Sequence, residues 1–221
     1  MRKSLLLSLP VIVLMACSCS TVETEVASDS GLGAGWVSLF DGKTLDGWQQ
    51  INGIAKYVVD NGTILGTTAE GSPNSFLCTA KHYGDFELVF DVMVDDRLNS
   101  GVQIRSNSFK VYKDGRVHGY QVEIAAAGNS GLIYDEARRA KWVDIEHCDQ
   151  DKANSVFKKG EWNQYRVVCQ GNSMKTWING EAIADITDAV TKSGFIGLQV
   201  HAFKDESPAW VKWRNIRIKE L

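Results

Sequence analysis

The sequence predicts an all-β protein, built as two packed antiparallel sheets with one short helix. Three observations predict it. Short runs alternate apolar and polar residues; turn dipeptides such as Asn61-Gly62 and Asn179-Gly180 separate those runs; and no fixed-period repeat or second composition regime interrupts the pattern. About a dozen short strands bury their apolar faces most simply as two sheets packed on each other. At 221 residues, 44% hydrophobic and 23% charged, the chain can enclose one sizeable core.

Val37–Phe40 opens the domain after Trp36 and runs into the turn Asp41-Gly42. Tyr57–Asp60 and Thr63–Thr67 flank Asn61-Gly62, two residues that tolerate positive φ, and so form a hairpin. Asp85–Asp95 is the longest run, with Phe86, Leu88, Phe90, Val92 and Val94 on one face. Ser100–Arg105 sets Val102 and Ile104 against Gln103 and Arg105, and His118–Ile124 sets Tyr120, Val122 and Ile124 against Gln121 and Glu123. Tyr134–Lys141 reads as the short helix, with Asp135 and Arg139 four apart as a surface pair. Asn163–Cys169 and Ser173–Asn179 join through Gln170-Gly171-Asn172, and Asn179-Gly180 leads into Glu181–Ile186. Gly194–His201 sets Ile196, Leu198 and Val200 against Gln199 and His201. In Ala209–Glu220 the alternation slips near Arg214-Asn215, which predicts a bulge.

The first 16 residues are read as a targeting segment, outside the fold. Arg2 and Lys3 precede an apolar run from Leu5 to Met15, too short to span a bilayer as a permanent helix. The run ends Leu14-Met15-Ala16-Cys17, which resembles a bacterial lipoprotein cleavage box and implies lipid on Cys17; an ordinary secretory peptide cut after Ala16 is the alternative. The expected product is an exported lipoprotein anchored to a cell-envelope membrane, the outer membrane first among them. Residues 17–35 lack periodicity and read as a flexible tether, leaving 36–221 as the domain. Net charge is −3, and losing Arg2 and Lys3 takes it to −5, so no basic footprint for nucleic acid exists. Beyond Cys17 and Cys19, Cys78, Cys148 and Cys169 are an odd set with no zinc-type spacing; Cys169 alternates with Tyr165 and Val167 and is expected to be a buried free thiol, and a Cys78–Cys148 bridge has no support.

Should the three polar-faced strands share a sheet, Arg105, Glu123 and His201 emerge on one surface among Gln103, Gln121 and Gln199. Alternation alone is equally consistent with a solvated outer face. Glu123 is the best acid or base, since a carboxylate on an enclosed face acquires a raised pKa; a plain Arg105–Glu123 salt bridge is the alternative. Arg105 offers a planar donor fork for a sugar hydroxyl or an oxyanion. His201 and His118 suit proton transfer or metal binding, or simple strand-end hydrogen bonding. Tyr134, Trp142 and Trp177 suit stacking on a pyranose or packing at the rim. Asp135, Glu136, Arg138 and Arg139 form a charge cluster that either flanks the polar face or is solvated. A Rossmann glycine fingerprint, a phosphate loop and a nucleophile elbow are absent, so chemistry must come from side chains or a metal.

Leu39-Phe40-Asp41-Gly42-Lys43-Thr44-Leu45-Asp46-Gly47-Trp48 resembles the opening of the 3-keto-disaccharide hydrolase family. The resemblance continues in order through Tyr83–Leu88, Asn99–Arg105, Gly119–Ile124, Gly160–Asn163, Gly197–His201 and Trp213–Ile218, covering residue 36 to the end. It implies a concanavalin A-like jelly-roll sandwich and a sugar or keto-sugar substrate. The Gln121-x-Glu123 order and the Ile133–Arg139 stretch are similar to a Bacteroidetes-type lipoprotein branch, although Ala125 stands where that branch places Asp. The implied chemistry is removal of a proton beside a ring ketone, β-elimination of the glycosidic oxygen, and addition of water. The residues that suit that chemistry are Glu123 or His201 as base and Arg105, with or without a divalent metal, as oxyanion stabiliser, and the substrate-binding candidates are Asn99, Gln103, His118, Gln121, Tyr134, Arg138, Trp142 and Gln199. A non-catalytic lectin-like module, and a glycosidase pairing Glu123 with Asp135 or Glu136, are the competing readings.

Overall fold

The computed structural model describes residues 33–205 and 207–221. The expected targeting segment, the lipidated Cys17 and nearly all of the tether lie outside the described residues. The strands are β1 (Trp36–Ser38), β2 (Trp48–Ile51), β3 (Lys56–Asp60), β4 (Thr63–Thr67), β5 (Ser75–Thr79), β6 (Phe86–Val94), β7 (Asn99–Asn107), β8 (His118–Ala125), β9 (Ile133–Glu136), β10 (Asn163–Gln170), β11 (Ser173–Ile178), β12 (Glu181–Thr187), β13 (Phe195–Val200) and β14 (Trp210–Glu220), with a single α-helix among the described residues, α1 (Gln150–Val156), after a one-turn 3-10 helix at Ile145–His147.

They form two antiparallel sheets. An eight-stranded sheet runs β12-β11-β10-β6-β14-β4-β3, with β1 also on β14; a six-stranded sheet runs β2-β5-β13-β7-β8-β9. The apolar faces meet in one core: Leu88, Phe90, Tyr165, Val167 and Trp213 from the first sheet pack with Val102, Ile104, Val122, Ile124 and Leu198 from the second. Burying each such side chain contributes about 1.5–3 kcal/mol, which ordering the chain largely offsets. The slip expected in β14 is present: its register with β6 shifts between Arg214 and Arg217, and Asn215 has φ 53°.

The helix lies elsewhere than expected. Residues 133–136 form an edge strand on β8, pairing Tyr134 with Gln121 and Ile133 with Val122. Ala137 and Ala140, both at φ 52°, then make a turn no right-handed helix accommodates. The Asp135–Arg139 pair forms within that turn. The helix is Gln150–Val156, capped by Asp149, whose side chain accepts from the Lys152 amide at 2.9 Å. Cys78 and Cys169 are buried free thiols, and Cys148 is also free, so Cys78 and Cys148 are unbridged.

One property of the six-stranded sheet decides what its polar face is. Every residue of β8 and β13 is buried, on both faces. The outward side is therefore roofed by loops rather than solvated. Segment 108–117 crosses it, held where Asn52 donates to the Gly115 carbonyl at 3.1 Å and accepts from the Val117 amide at 2.7 Å. Val117 packs beneath it with Phe76, Cys78 and Phe195. The turn 137–142 lies alongside, tied on by Tyr112 Oη and Lys113 Nζ, which both donate to the Ala137 carbonyl, at 3.0 and 2.6 Å.

Candidate active site

Strand register assembles the site. Gln199 of β13 lies across from Gly101 of β7, and Gly101 across from Glu123 of β8; the next row carries Gly197, Gln103, Gln121 and Tyr134. Cross-strand partners share a face, so these side chains occupy one roofed surface. They form a directed chain: Ser106 Oγ donates to Gln103 Oε1 at 2.7 Å, Gln103 Nε2 to Gln121 Oε1 at 2.6 Å, and Gln121 Nε2 to Glu123 Oε2 at 3.0 Å. Asn99 Nδ2 donates to the other carboxylate oxygen. Glycine at position 101 makes room for this, because a Cβ there would stand 2.6 Å from Gln121 Cγ and Cδ.

Glu123 lines a pocket of about 390 Å³. Its side is walled by Tyr134 and Trp142, whose rings meet edge-on at 5.1 Å and 72°. His201 enters from the end of β13, Asn74 from the segment before β5, and Arg116 from the roof. The second carboxylate in the pocket is Glu136, 3.6 Å from Arg116 Nη2 and 3.5 Å from Asn74 Nδ2. Glu123 is only 6% exposed. That burial pushes its carboxyl above the ordinary range; the Gln121 and Asn99 donors and the His201 imidazole pull the other way, and Glu136 adds to the rise. Burial, then the Glu136 and Glu123 carboxylates, raise the Tyr134 phenol and keep it a proton donor. His201 Nδ1 donates to the Ala202 carbonyl at 2.7 Å.

Asn99, Gln121, Glu123, Tyr134, Trp142 and His201 are thus brought together. Gln103 does not line the pocket; it orients Gln121 from behind. Gln199 is fully buried, with neither side-chain amide atom partnered. His118 is buried, accepts Tyr112 against its ring at 4.2 Å and holds the Arg116 carbonyl at 2.8 Å, so it fixes the roof and does not line the cavity. Arg138 pairs with Asp135 at 2.8 Å and covers the Tyr120 ring at 4.7 Å, away from the pocket. Asp135 is buried between Arg138 and Arg139. Trp177 lies on the other sheet, beside a hollow of about 630 Å³ and under the Arg166 guanidinium. Ala125 opens onto a separate hollow of about 140 Å³.

Arg105 is the main correction. It sits at φ 46° in a bulge where the β7–β8 register shifts between Ile104 and Asn107. The extra residue exchanges faces, so Ser106 faces Gln103 while Arg105 turns to the sandwich rim. Fully buried, it donates to the Gly84 carbonyl at 2.7 Å, the Gly171 carbonyl at 2.8 Å and Asp85 Oδ1 at 2.8 Å. It pairs with Asp85, not Glu123. The expected site residues also omit Asn74 and Arg116, while Glu136, expected only in the charge cluster and as an alternative partner of Glu123, lines the pocket. Reading 133–136 as a strand supplies Glu136, two places from Tyr134 and on its face; Arg116 and Asn74 enter from loops, where no periodicity marks them. Among the described residues no group of three His, Cys, Asp or Glu side chains is gathered to hold a metal ion. The Glu123 oxygens already accept amide donors, so the donor set does not fit a metal centre.

Residues 35–219 match the family model of the 3-keto-alpha-glucoside-1,2-lyase-like domain. The chain belongs to this family. Membership assigns it a carbohydrate-related function. No curated protein sequence matches the chain. Among solved structures, a candidate glycosyl hydrolase from Parabacteroides distasonis ATCC 8503 is 20% identical with a TM-score of 0.63, over 85% of this chain and 94% of that one. The carbohydrate-binding module CBM66 from Bacillus subtilis is 17% identical with a TM-score of 0.59, over 79% and 96%. A β-glucanase from Bacillus licheniformis is 13% identical with a TM-score of 0.56, over 84% and 97%. These likenesses establish the family member's jelly-roll sandwich fold.

Proposed function

We propose that the protein cleaves 3-keto-glycosides by proton abstraction, β-elimination and hydration. A ketone at ring position 3 acidifies the hydrogen at position 2. A base removes it, the glycosidic oxygen at position 1 leaves with its bonding pair, and water then adds across the ring double bond, for net hydrolysis. The observation that carries this reading is Glu123. It is a buried carboxylate lining a pocket, held by two amide donors, with its pKa raised by burial as suits a group that takes and returns a proton. Tyr134 and Trp142 supply the wall on which a pyranose stacks. His201, which lines the same pocket, is the second proton carrier. Attachment to a cell-envelope membrane through lipid on Cys17 belongs to the same reading, supported by the order of residues 2–17 alone.

The test is incubation of the pure protein with a 3-keto-disaccharide and, in parallel, with its unoxidised parent. Release of a monosaccharide from the keto-sugar only is the expected result. A second reading is favoured by one observation: Glu123 and Glu136 line the same pocket, as two-carboxylate hydrolysis requires. Cleavage of the unoxidised parent supports that reading instead, and binding of either sugar without cleavage supports a lectin-like module.

A further inference from the structure

Elimination beside a ketone places negative charge on the ketone oxygen, and with Arg105 engaged at the rim the pocket needs another cation. Arg116 is the guanidinium that lines it. Its backbone is fixed from both sides. His118 Nδ1 holds the Arg116 carbonyl at 2.8 Å, and Asn52 holds Gly115 and Val117. Its side chain is not fixed: it is 55% exposed, and its contact with Glu136 is long, at 3.6 Å. The contact is long and its arginine end is solvated, and Glu136 keeps the Asn74 amide at 3.5 Å as a second partner, so the guanidinium is free to move. A rigid anchor carrying a movable planar donor fork suits an anion that exists only during reaction.

We propose that Arg116 holds the ring-3 oxygen of the substrate as charge develops there, moving to it from its contact with Glu136. This rests on the keto-glycoside reading above. Glu123 takes the proton from C2; the C2–H electron pair forms C2=C3, and the carbonyl π pair moves to oxygen, against Arg116. The pair then returns, C3=O re-forms, C1=C2 forms, and the C1–O bond breaks, its oxygen taking the proton that Glu123 carries. Water adds hydroxyl to C1 and hydrogen to C2. His118 and Asn52 are positioning residues that hold the loop bearing Arg116.

The test compares wild type, Arg116→Ala and Arg116→Lys on a 3-keto-glucoside, with and without added guanidinium chloride at non-denaturing concentration. Arg116→Ala is expected to lose about 10²–10³-fold in kcat with a small change in KM, and guanidinium is expected to restore part of the loss. Arg116→Lys, which keeps the charge and loses the fork, stays at least about tenfold below wild type. An active wild type with Arg116→Ala within about threefold of it, or a loss of kcat that guanidinium does not touch, overturns the role of Arg116 and leaves the keto-glycoside reading standing. A wild type inactive on every keto-sugar overturns both.

Discussion

Gln121 donates to the Glu123 carboxylate at 3.0 Å from two places earlier on the same strand, and Gln103 fixes the orientation of that amide by occupying its oxygen. The donor therefore opposes the effect of burial on Glu123. Replacing Gln121 with Met removes a hydrogen bond to the charged form, so the Glu123 pKa rises further. The acid limb of the kcat/KM–pH profile is expected to move to higher pH in Gln121→Met. An unmoved limb means that Glu123 is not the group whose ionisation the profile reports.

Burial has a cost that a neutral isostere relieves. The folded pKa of Glu123 lies above its unfolded value, so the folded state holds its proton more tightly. The stability this contributes is present below the unfolded carboxylate pKa and is lost as pH rises through the folded one. Glu123→Gln is therefore expected to be more stable than wild type at neutral pH, by about 1 kcal/mol or roughly 2–4 °C in Tm. The difference should vanish at about pH 4 or below. Thermal melts of both proteins across pH check it.

Arg105 joins the two sheets at their rim, and its loss leaves the carbonyls of Gly84 and Gly171 without their donor. Arg105→Ala is expected to cost about 2–4 kcal/mol in urea unfolding. Activity per folded molecule should stay within about threefold of wild type. A hundredfold loss of kcat at full folding would instead return Arg105 to the reaction.

A methyl group at Gly101 would stand 2.6 Å from the Gln121 side chain. Gly101→Ala is expected to displace that amide and lower kcat/KM by about 10–10²-fold, because small misplacements near the chemistry are costly. Its Tm should fall by only a few degrees, since a flexible side chain yields more readily than backbone. Steady-state kinetics beside a thermal melt separate the two effects.

The sandwich was legible because alternation and turn chemistry are local: Asn61-Gly62, the β6 run and the β14 slip each carry their own signal. So was the polar row of Gln121 and Glu123, once β7, β8 and β13 are neighbours. Arg105 was misplaced because a single left-handed residue inverts the alternation after it, and an arginine carries no mark of that conformation. The strand at Ile133–Glu136 looked helical because its charges sit four apart; its pairing with β8 is a long-range contact that propensity does not encode. The roof escaped for the same reason. The Asn52, Tyr112 and Lys113 contacts that hold it join segments far apart in the chain.

The most direct measurement follows the C2 hydrogen of a 3-keto-glucoside by NMR in deuterated water, with wild type and Glu123→Gln. The account predicts that wild type exchanges or eliminates that hydrogen and releases the aglycone, and that Glu123→Gln is slower by about 10²–10⁴-fold in both. Exchange by Glu123→Gln within about threefold of wild type, or aglycone release by wild type with C2–H fully retained, would contradict it.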